Sequence, residues 1–212
     1  DWAALPPADA AAPLAVALEG TGLPPGAGLP AVPGLPEAEF AHDGQITKAP
    51  IRALTLAALA PRRGELLWDI GGGSGSVSVE FCLAGGRAVT IEPRADRLET
   101  IRANIEGFGL AGRMQAVAGR APEALAGLPA PDAVFVGGGG TAACHDALWA
   151  MLAPGTRIVA NAVTLETEAL LIALQGARGG TLMRAEIAQA GPLGGFRGWQ
   201  AARPVLQWSV VR

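Results

Sequence analysis

From residue 37 onward, short apolar runs alternate with stretches of helical periodicity. The first run, Leu66–Ile70, ends in the cluster Gly71, Gly72, Gly73 and Gly75, which reads as strand, tight turn, helix. Further strands are expected at 88–92, 115–118, 133–137 and 157–160, with helical stretches between consecutive members. This alternation predicts an α/β protein with a parallel sheet covered on both faces. The clearest helix follows Glu92: Pro93 suits its first position, Gly109 can end it, and Leu98, Ile101, Ile105 and Phe108 recur at helical spacing. An earlier helix is expected over 50–60, with Thr47 as its cap and Ile51, Leu54 and Ala58 on one side. Near the end, 181–190 and Val205–Val211 are both strand-like, but 191–204 is too rich in Gly and Pro for a crossover helix. Two strands joined without a helix must pair antiparallel or leave the sheet.

Composition divides the chain of 212 residues. Gly (30) and Pro (17) together make up about 22% of it, nearly twice the roughly 12% of an average protein. Residues 1–36 hold eight of the prolines, three acids and no Lys or Arg, the character of a linker. The net charge of -3 sits there, so the remainder is neutral and has no basic footprint for nucleic acid. No uncharged stretch combines the length and helical character of a membrane span. Asp1 and Asp9 stand where a secretory signal would be positive. Cys82 and Cys144 are too few and too far apart for a disulfide framework or a zinc site. The expected compartment is the cytoplasm.

The turn after the first strand carries the candidate chemistry. Glycines there let the backbone leave the strand sharply and let a ligand reach the main chain, where any side chain would block it. Glu92 follows Gly71 by 21 residues, about where a doubly wound sheet places the acid that accepts the ribose hydroxyls. No Gly-Lys-Ser/Thr follows, which excludes a phosphate-cradling P-loop, and Ser76 replaces the third glycine of the dinucleotide fingerprint. Asp69, Gly71, Gly73 and Gly75 fit instead the acid-x-Gly-x-Gly-x-Gly pattern of S-adenosylmethionine enzymes. A sheet ending in an antiparallel pair is likewise the class I S-adenosylmethionine-dependent methyltransferase (Rossmann-like) arrangement. Asp69 would lie under the turn, either orienting a methionyl ammonium or hydrogen-bonding the turn's own amides.

Several motifs stand in one order: Gly34 to Phe40, Ile46-Thr47-Lys48 with Arg52, Trp68 to Glu80, Ala121 to Leu125, Val136 to Gly140, and Asn161 to Thr167. Together they resemble the decarboxylating precorrin methyltransferases of cobalamin biosynthesis. Gly191 to Trp199 followed by Pro204 to Trp208 is similar to the C-terminal half of the fused aerobic members of that family. The resemblance implies a methyltransferase domain over 34–212, with 1–33 the end of an upstream tetrapyrrole methylase domain, whose last strand would be Pro13 to Leu18, plus a linker. It implies S-adenosyl-L-methionine as cofactor, contacted by Thr47, Gly71, Gly72, Gly73, Ser74, Gly75, Glu92 and Ala121. The implied reaction is methylation of a precorrin at carbon 15 with loss of carbon dioxide from the acetate on carbon 12, in a homo-oligomer, a tetramer in relatives. One departure is Arg120, where relatives often carry an acid facing the adenine; Arg has no acceptor, so the adenine contact is expected from main chain at Ala121.

On the acceptor side, ligands of an open parallel sheet lie beyond the carboxyl ends of the strands, which brings Gly138, Gly139 and Asn161 to the transferred methyl. Asn161 could equally cap the next helix. A polycarboxylate substrate calls for forked Arg donors, with Arg197 and Arg203 the best candidates, Trp199 beside them to stack on the ring, and Arg184 weaker. His42 and His145 are expected at the surface or as caps, without a catalytic role. No metal is expected, because the conjugated macrocycle can absorb the electrons that decarboxylation leaves. The rival readings are an NAD-dependent oxidoreductase, a nucleic-acid methyltransferase and a non-catalytic nucleotide-binding module.

Overall fold

The computed structural model describes residues 22, 24 and 27–212; the strand expected at Pro13 to Leu18 lies outside the described residues. Five parallel strands, β1 (Leu66–Ile70), β2 (Arg87–Glu92), β3 (Met114–Ala118), β4 (Ala133–Val136) and β5 (Arg157–Ala162), form most of one sheet. β6 (Thr181–Ala185) and β9 (Val205–Val211) complete it in the order β3-β2-β1-β4-β5-β9-β6, with β9 antiparallel to both neighbours. The mostly parallel sheet with an antiparallel end is the expected class I arrangement.

Strand alternation builds two cores. Leu66, Trp68 and Ile70 of β1 pack with α4 (Ala142–Met151) and α5 (Leu165–Arg178), whereas Leu67 packs with α1 (Ala49–Leu59), α2 (Ser76–Leu83) and α3 (Ala95–Gly107). Every residue of β1 is therefore buried, as a strand covered on both faces must be. The order 2-1-4 flanks β1 with a parallel strand on each side at the point where the strand order reverses, and its carboxyl end delivers the glycine turn into the crevice.

Several expected boundaries move. Thr47 does not cap α1: Lys48 occupies the cap position without a side-chain bond, and Pro50 in the first turn supplies the start. Pro93 and Gly109 lie just outside α3, which Arg94 precedes and Phe108 follows. Asn161 stays within β5, and Thr164 caps α5 by accepting from Thr167 N, with Glu166 and Glu168 in the first turn and Arg178 in the last. The single strand expected over 181–190 is two. β6 ends at Ala185, and β7 (Ala188–Leu193) turns through Gly194 and Gly195 into β8 (Phe196–Ala201) as a separate two-stranded sheet. Gly194 has φ +57, suited to a two-residue hairpin loop between apolar residues.

The segment 34–40 is anchored by a buried ion pair. Arg52, fully buried, donates from Nε to Glu80 at 2.5 Å and from its terminal nitrogens to the carbonyls of Thr47 and Leu35. The Glu80 carboxylate also accepts the amides of Gly34 (2.7 Å) and Leu35 (3.0 Å). All three guanidinium nitrogens and both carboxylate oxygens of the pair thus meet a partner, the condition for tolerating buried charge.

Candidate functional site

At the end of β1 the chain turns with the main chain exposed. A Cβ on Gly71, whose φ is +70, would sit 2.4 Å from Gly138 O, and one on Gly72 would sit 2.1 Å from Thr90 Cγ2, distances at which the backbone could not stay where it is. The turn's amides are tied to β2: Gly71 N and Gly72 N donate to Ile91 O at 2.9 and 3.2 Å, and Gly73 N donates to Glu92 Oε2 at 3.0 Å. Glu92 Oε1 accepts from Arg94 N at 3.0 Å. The acid at the tip of β2 is thus buried and held from both sides, and each carboxylate oxygen retains a further acceptor site.

Asp69 does not hydrogen-bond the turn's amides. It points into the α2 side, where Ser78 donates to Oδ2 at 2.7 Å and Thr90 in turn donates to Ser78 at 2.7 Å. Oδ1 is buried and has no partner among the described residues. Burial first, opposed by the Ser78 bonds and reinforced by the charge of Glu92, pushes the Asp69 carboxyl up to about 6. An unpaired acceptor beneath a bare backbone turn fits a ligand that brings its own donor, as an ammonium would.

The turn opens on a cavity of about 940 Å³ lined by Gly71, Gly72, Gly73 and Ser74, by Thr47 and Lys48 ahead of α1, by Asn161, and by Gln189, Gln200 and Arg203 at the hairpin. Among the described residues, neither Lys48 nor Arg203 is in an ion pair, whereas Arg97, also in the lining, is bound to Asp43 and Gln45. Asn161 has its amide fixed by Thr55 and Gln207. One cavity therefore combines an exposed backbone, two free cations and an oriented amide.

Thr47, Gly71, Gly72, Gly73, Ser74, Asn161 and Arg203 come together in that lining; the other expected residues do not. Gly75 is buried against Ile101 and Met114, and Glu92 lies beneath the turn. Ala121 packs beyond β3 on the core of α4 and α5. Gly138 sets its carbonyl against Gly71, and Gly139 is exposed. Arg197 and Trp199 lie on β8 at alternate positions to Gln200, so when Gln200 faces the cavity they stand on the other face of the hairpin. In a single chain their expected substrate role has no cavity wall to act from. Arg184 pairs with Glu186. His145 is not at the surface: it is buried edge-on to Trp208, and burial, helped by the charge of Arg178, lowers its pKa to about 4.

Sequence reasoning quoted Lys48 in a motif without giving it a role in the site, and passed over Gln189, Gln200 and the Thr55–Gln207 pair. Lys48 had a signal, since it is the only Lys in the chain and adjoins Thr47. The hairpin had one as well, in Leu193-Gly194-Gly195-Phe196.

Among the described residues no helix is long and apolar enough to cross a membrane, and no three His, Cys, Asp or Glu side chains are grouped to hold a metal ion. The chain matches the family described as precorrin methyltransferase domain over residues 38–212. It is 53% identical over 182 residues to a precorrin-6Y C(5,15)-methyltransferase [decarboxylating] of Sinorhizobium sp, a match that takes in 84% of this chain and 44% of that one. The chain thus spans less than half the length of the curated relatives it matches first. The crystal structure of the C-terminal domain of precorrin-6Y C5,15-methyltransferase from Rhodobacter capsulatus superposes with a TM-score of 0.85 at 71% identity, covering 87% of this chain and all of that one. A SAM-dependent O-methyltransferase from Thermotoga maritima shares the fold at 16% identity and a TM-score of 0.61, over 79% of this chain and 67% of its own.

Proposed function

The chain belongs to the precorrin methyltransferase family, and from that premise we propose that it methylates carbon 15 of a precorrin with S-adenosyl-L-methionine and removes the ring acetate's carboxyl at carbon 12 as carbon dioxide, a step of cobalamin biosynthesis. The observation that carries this reading is the single cavity lined by the bare turn Gly71 to Ser74 and also by Lys48, Asn161 and Arg203. An S-adenosylmethionine molecule and part of a flat polycarboxylate can be accommodated in such a space.

When bound, the cofactor supplies a methyl group already activated by its sulfonium charge. The chain's part is to place it. Gly71 to Ser74 and Thr47 would admit the amino-acid end from the cavity, Asp69 Oδ1 beneath the turn would be the acceptor for its ammonium, and Glu92 and the main chain at Ala121, both outside the cavity lining, would be the contacts of the ribose and the adenine beyond the turn. Lys48 and Arg203 hold acceptor carboxylates, and alignment of carbon with methyl is the principal catalytic contribution. The ring nitrogen pushes an electron pair through carbon 15 onto the methyl group as the sulfur–methyl bond breaks, and the thioether S-adenosylhomocysteine leaves. On decarboxylation the pair left by carbon dioxide passes into the conjugated imine to give an enamine, which takes up one proton from water to leave a methyl group on carbon 12, so the step needs a proton source and no side-chain base. In this reading the carbon 5 methylation named in the relatives belongs to the tetrapyrrole methylase half of a longer chain, joined through residues 1–33.

The hairpin supports self-association. Leu193, Phe196 and Trp199 are 66, 83 and 80% exposed on a two-stranded sheet, a unit only marginally stable in water by itself. Covering by further copies of this chain, as in a tetramer, buries them. The reaction is tested by incubating the chain with methyl-labelled S-adenosylmethionine and precorrin-6Y and weighing the product. Gain of one labelled methyl with loss of carbon dioxide is expected; unchanged tetrapyrrole in the presence of folded protein would contradict the assignment.

A further inference from the structure

Thr55 is fully buried in α1, and its hydroxyl donates to Ile51 O at 2.9 Å, one helical turn back. Its only proton is then committed, so toward the sheet the Thr55 oxygen can only accept. It accepts from Asn161 Nδ2 at 2.9 Å and from Gln207 Nε2 at 3.2 Å. Gln207 Nε2 also donates to Asn161 Oδ1 at 3.0 Å. Asn161 and Gln207 are direct cross-strand partners in the β5–β9 register. Three side chains from α1, β5 and β9 thereby close a ring in which reversing either amide would set donor against donor or acceptor against acceptor. The carboxamide orientation, ordinarily ambiguous, is dictated from below. Both Gln207 N–H groups are used, the Asn161 oxygen is engaged, and one Asn161 N–H has no partner among the described residues, on a residue that lines the cavity.

We propose that Thr55 and Gln207 are positioning residues that lock Asn161 as a hydrogen-bond donor toward the cavity, so that the site takes its tetrapyrrole with a lone-pair edge, a carboxylate oxygen or imine nitrogen, against Asn161. The inference rests on the reading of the cavity as the methyl acceptor's site. It assigns the polarity of the acceptor wall, which the glycine turn does not determine. A buried donor that meets another donor forfeits about one hydrogen bond's worth of binding, roughly tenfold in affinity or more.

The test uses the full chain with Thr55→Val and Gln207→Met, which keep shape and remove the ring's hydroxyl or amide. Expected is a rise of about tenfold in KM for precorrin-6Y, S-adenosylhomocysteine affinity within about twofold of wild type, and recovery in Thr55→Ser. Wild-type KM in both variants, or equal losses in both affinities, would overturn the proposal. Should the variants fail to fold, 15N-labelled wild type decides: one Asn161 side-chain proton should exchange slowly and the other should shift on adding precorrin-6Y. Two protons that exchange alike, or neither shifting with bound precorrin-6Y, overturn it. A wild-type chain that takes up no S-adenosylhomocysteine fails the reading of the cavity instead, and the proton asymmetry is then judged by exchange alone.

Discussion

The turn Gly71 to Ser74 and the hairpin of β7 and β8 border the same cavity, but one is fixed from every side and the other projects. The turn's amides are held by Ile91 and Glu92, its α carbons stand against Gly138 and Thr90, and the carboxylate below it is buried. Among the described residues the hairpin pairs only with itself, and it leaves Phe196 and Trp199 more than three-quarters exposed. A small ligand of constant shape suits a preorganised wall, where nothing has to be ordered on binding. A large, flexible polycarboxylate suits a wall that can adjust or be completed by another copy.

The largest expected effect falls on neither wall but on the buried pair that ties the segment 34–40 to α2. Arg52→Met leaves Glu80 buried without its cation, which should destabilise the chain by about 3–5 kcal/mol in urea unfolding; a loss below about 1 kcal/mol, the range of a surface pair, would mean that the segment 34–40 is not held as described. A smaller effect appears in pH. The folded Asp69 pKa is raised to about 6, so the folded chain retains a proton the unfolded chain has released, and this group's contribution falls as pH rises from about 4 to 6. His145 runs the other way. Its pKa is lowered to about 4, so the unfolded chain takes up the proton first and stability is lost as pH falls from about 6.5 to 4. Each is worth about 3 kcal/mol at most, and in the wild type they largely offset each other. Asp69→Asn should therefore steepen the acid loss, and His145→Leu should reverse its sign; parallel pH curves for the two variants would refute both assignments.

On the adjustable wall the effects are on ligands and assembly. Lys48→Gln and Arg203→Gln should each raise KM for precorrin-6Y about three- to tenfold and weaken its dependence on salt, while leaving S-adenosylhomocysteine affinity unchanged. Equal losses for both ligands would erase the distinction between the walls. The double substitution Phe196→Ser with Trp199→Ser should change protomer stability by less than about 0.5 kcal/mol yet reduce the sedimenting mass of the assembly. An unaltered mass would place the subunit interface elsewhere.

The same contrast decided how much could be read from the sequence. The strand, the turn and the acid at the tip of β2 lie within one βαβ unit, where spacing along the chain translates directly into space, so the placing of Gly71 and Ser74 in the cavity lining and of Glu92 against the turn was legible for that reason. Arg203 was found from chemistry, but the side of the hairpin taken by Arg197 and Trp199 was not. The Gly and Pro content of 191–204 masked a β-alternation that Pro192 tolerates only because its strand is at an edge. The ring of Thr55, Asn161 and Gln207 joins residues up to 152 apart, and no local pattern announces such a contact. Asp69 was seen under the turn, but its partner Ser78 depended on which face of β1 met α2.

Titration calorimetry of the wild-type chain with S-adenosylhomocysteine and, separately, with NAD tests the reading of the rigid wall most directly. The account predicts saturable heat at one S-adenosylhomocysteine per chain and none with NAD. No heat with the former, or comparable heat with the latter, would contradict it.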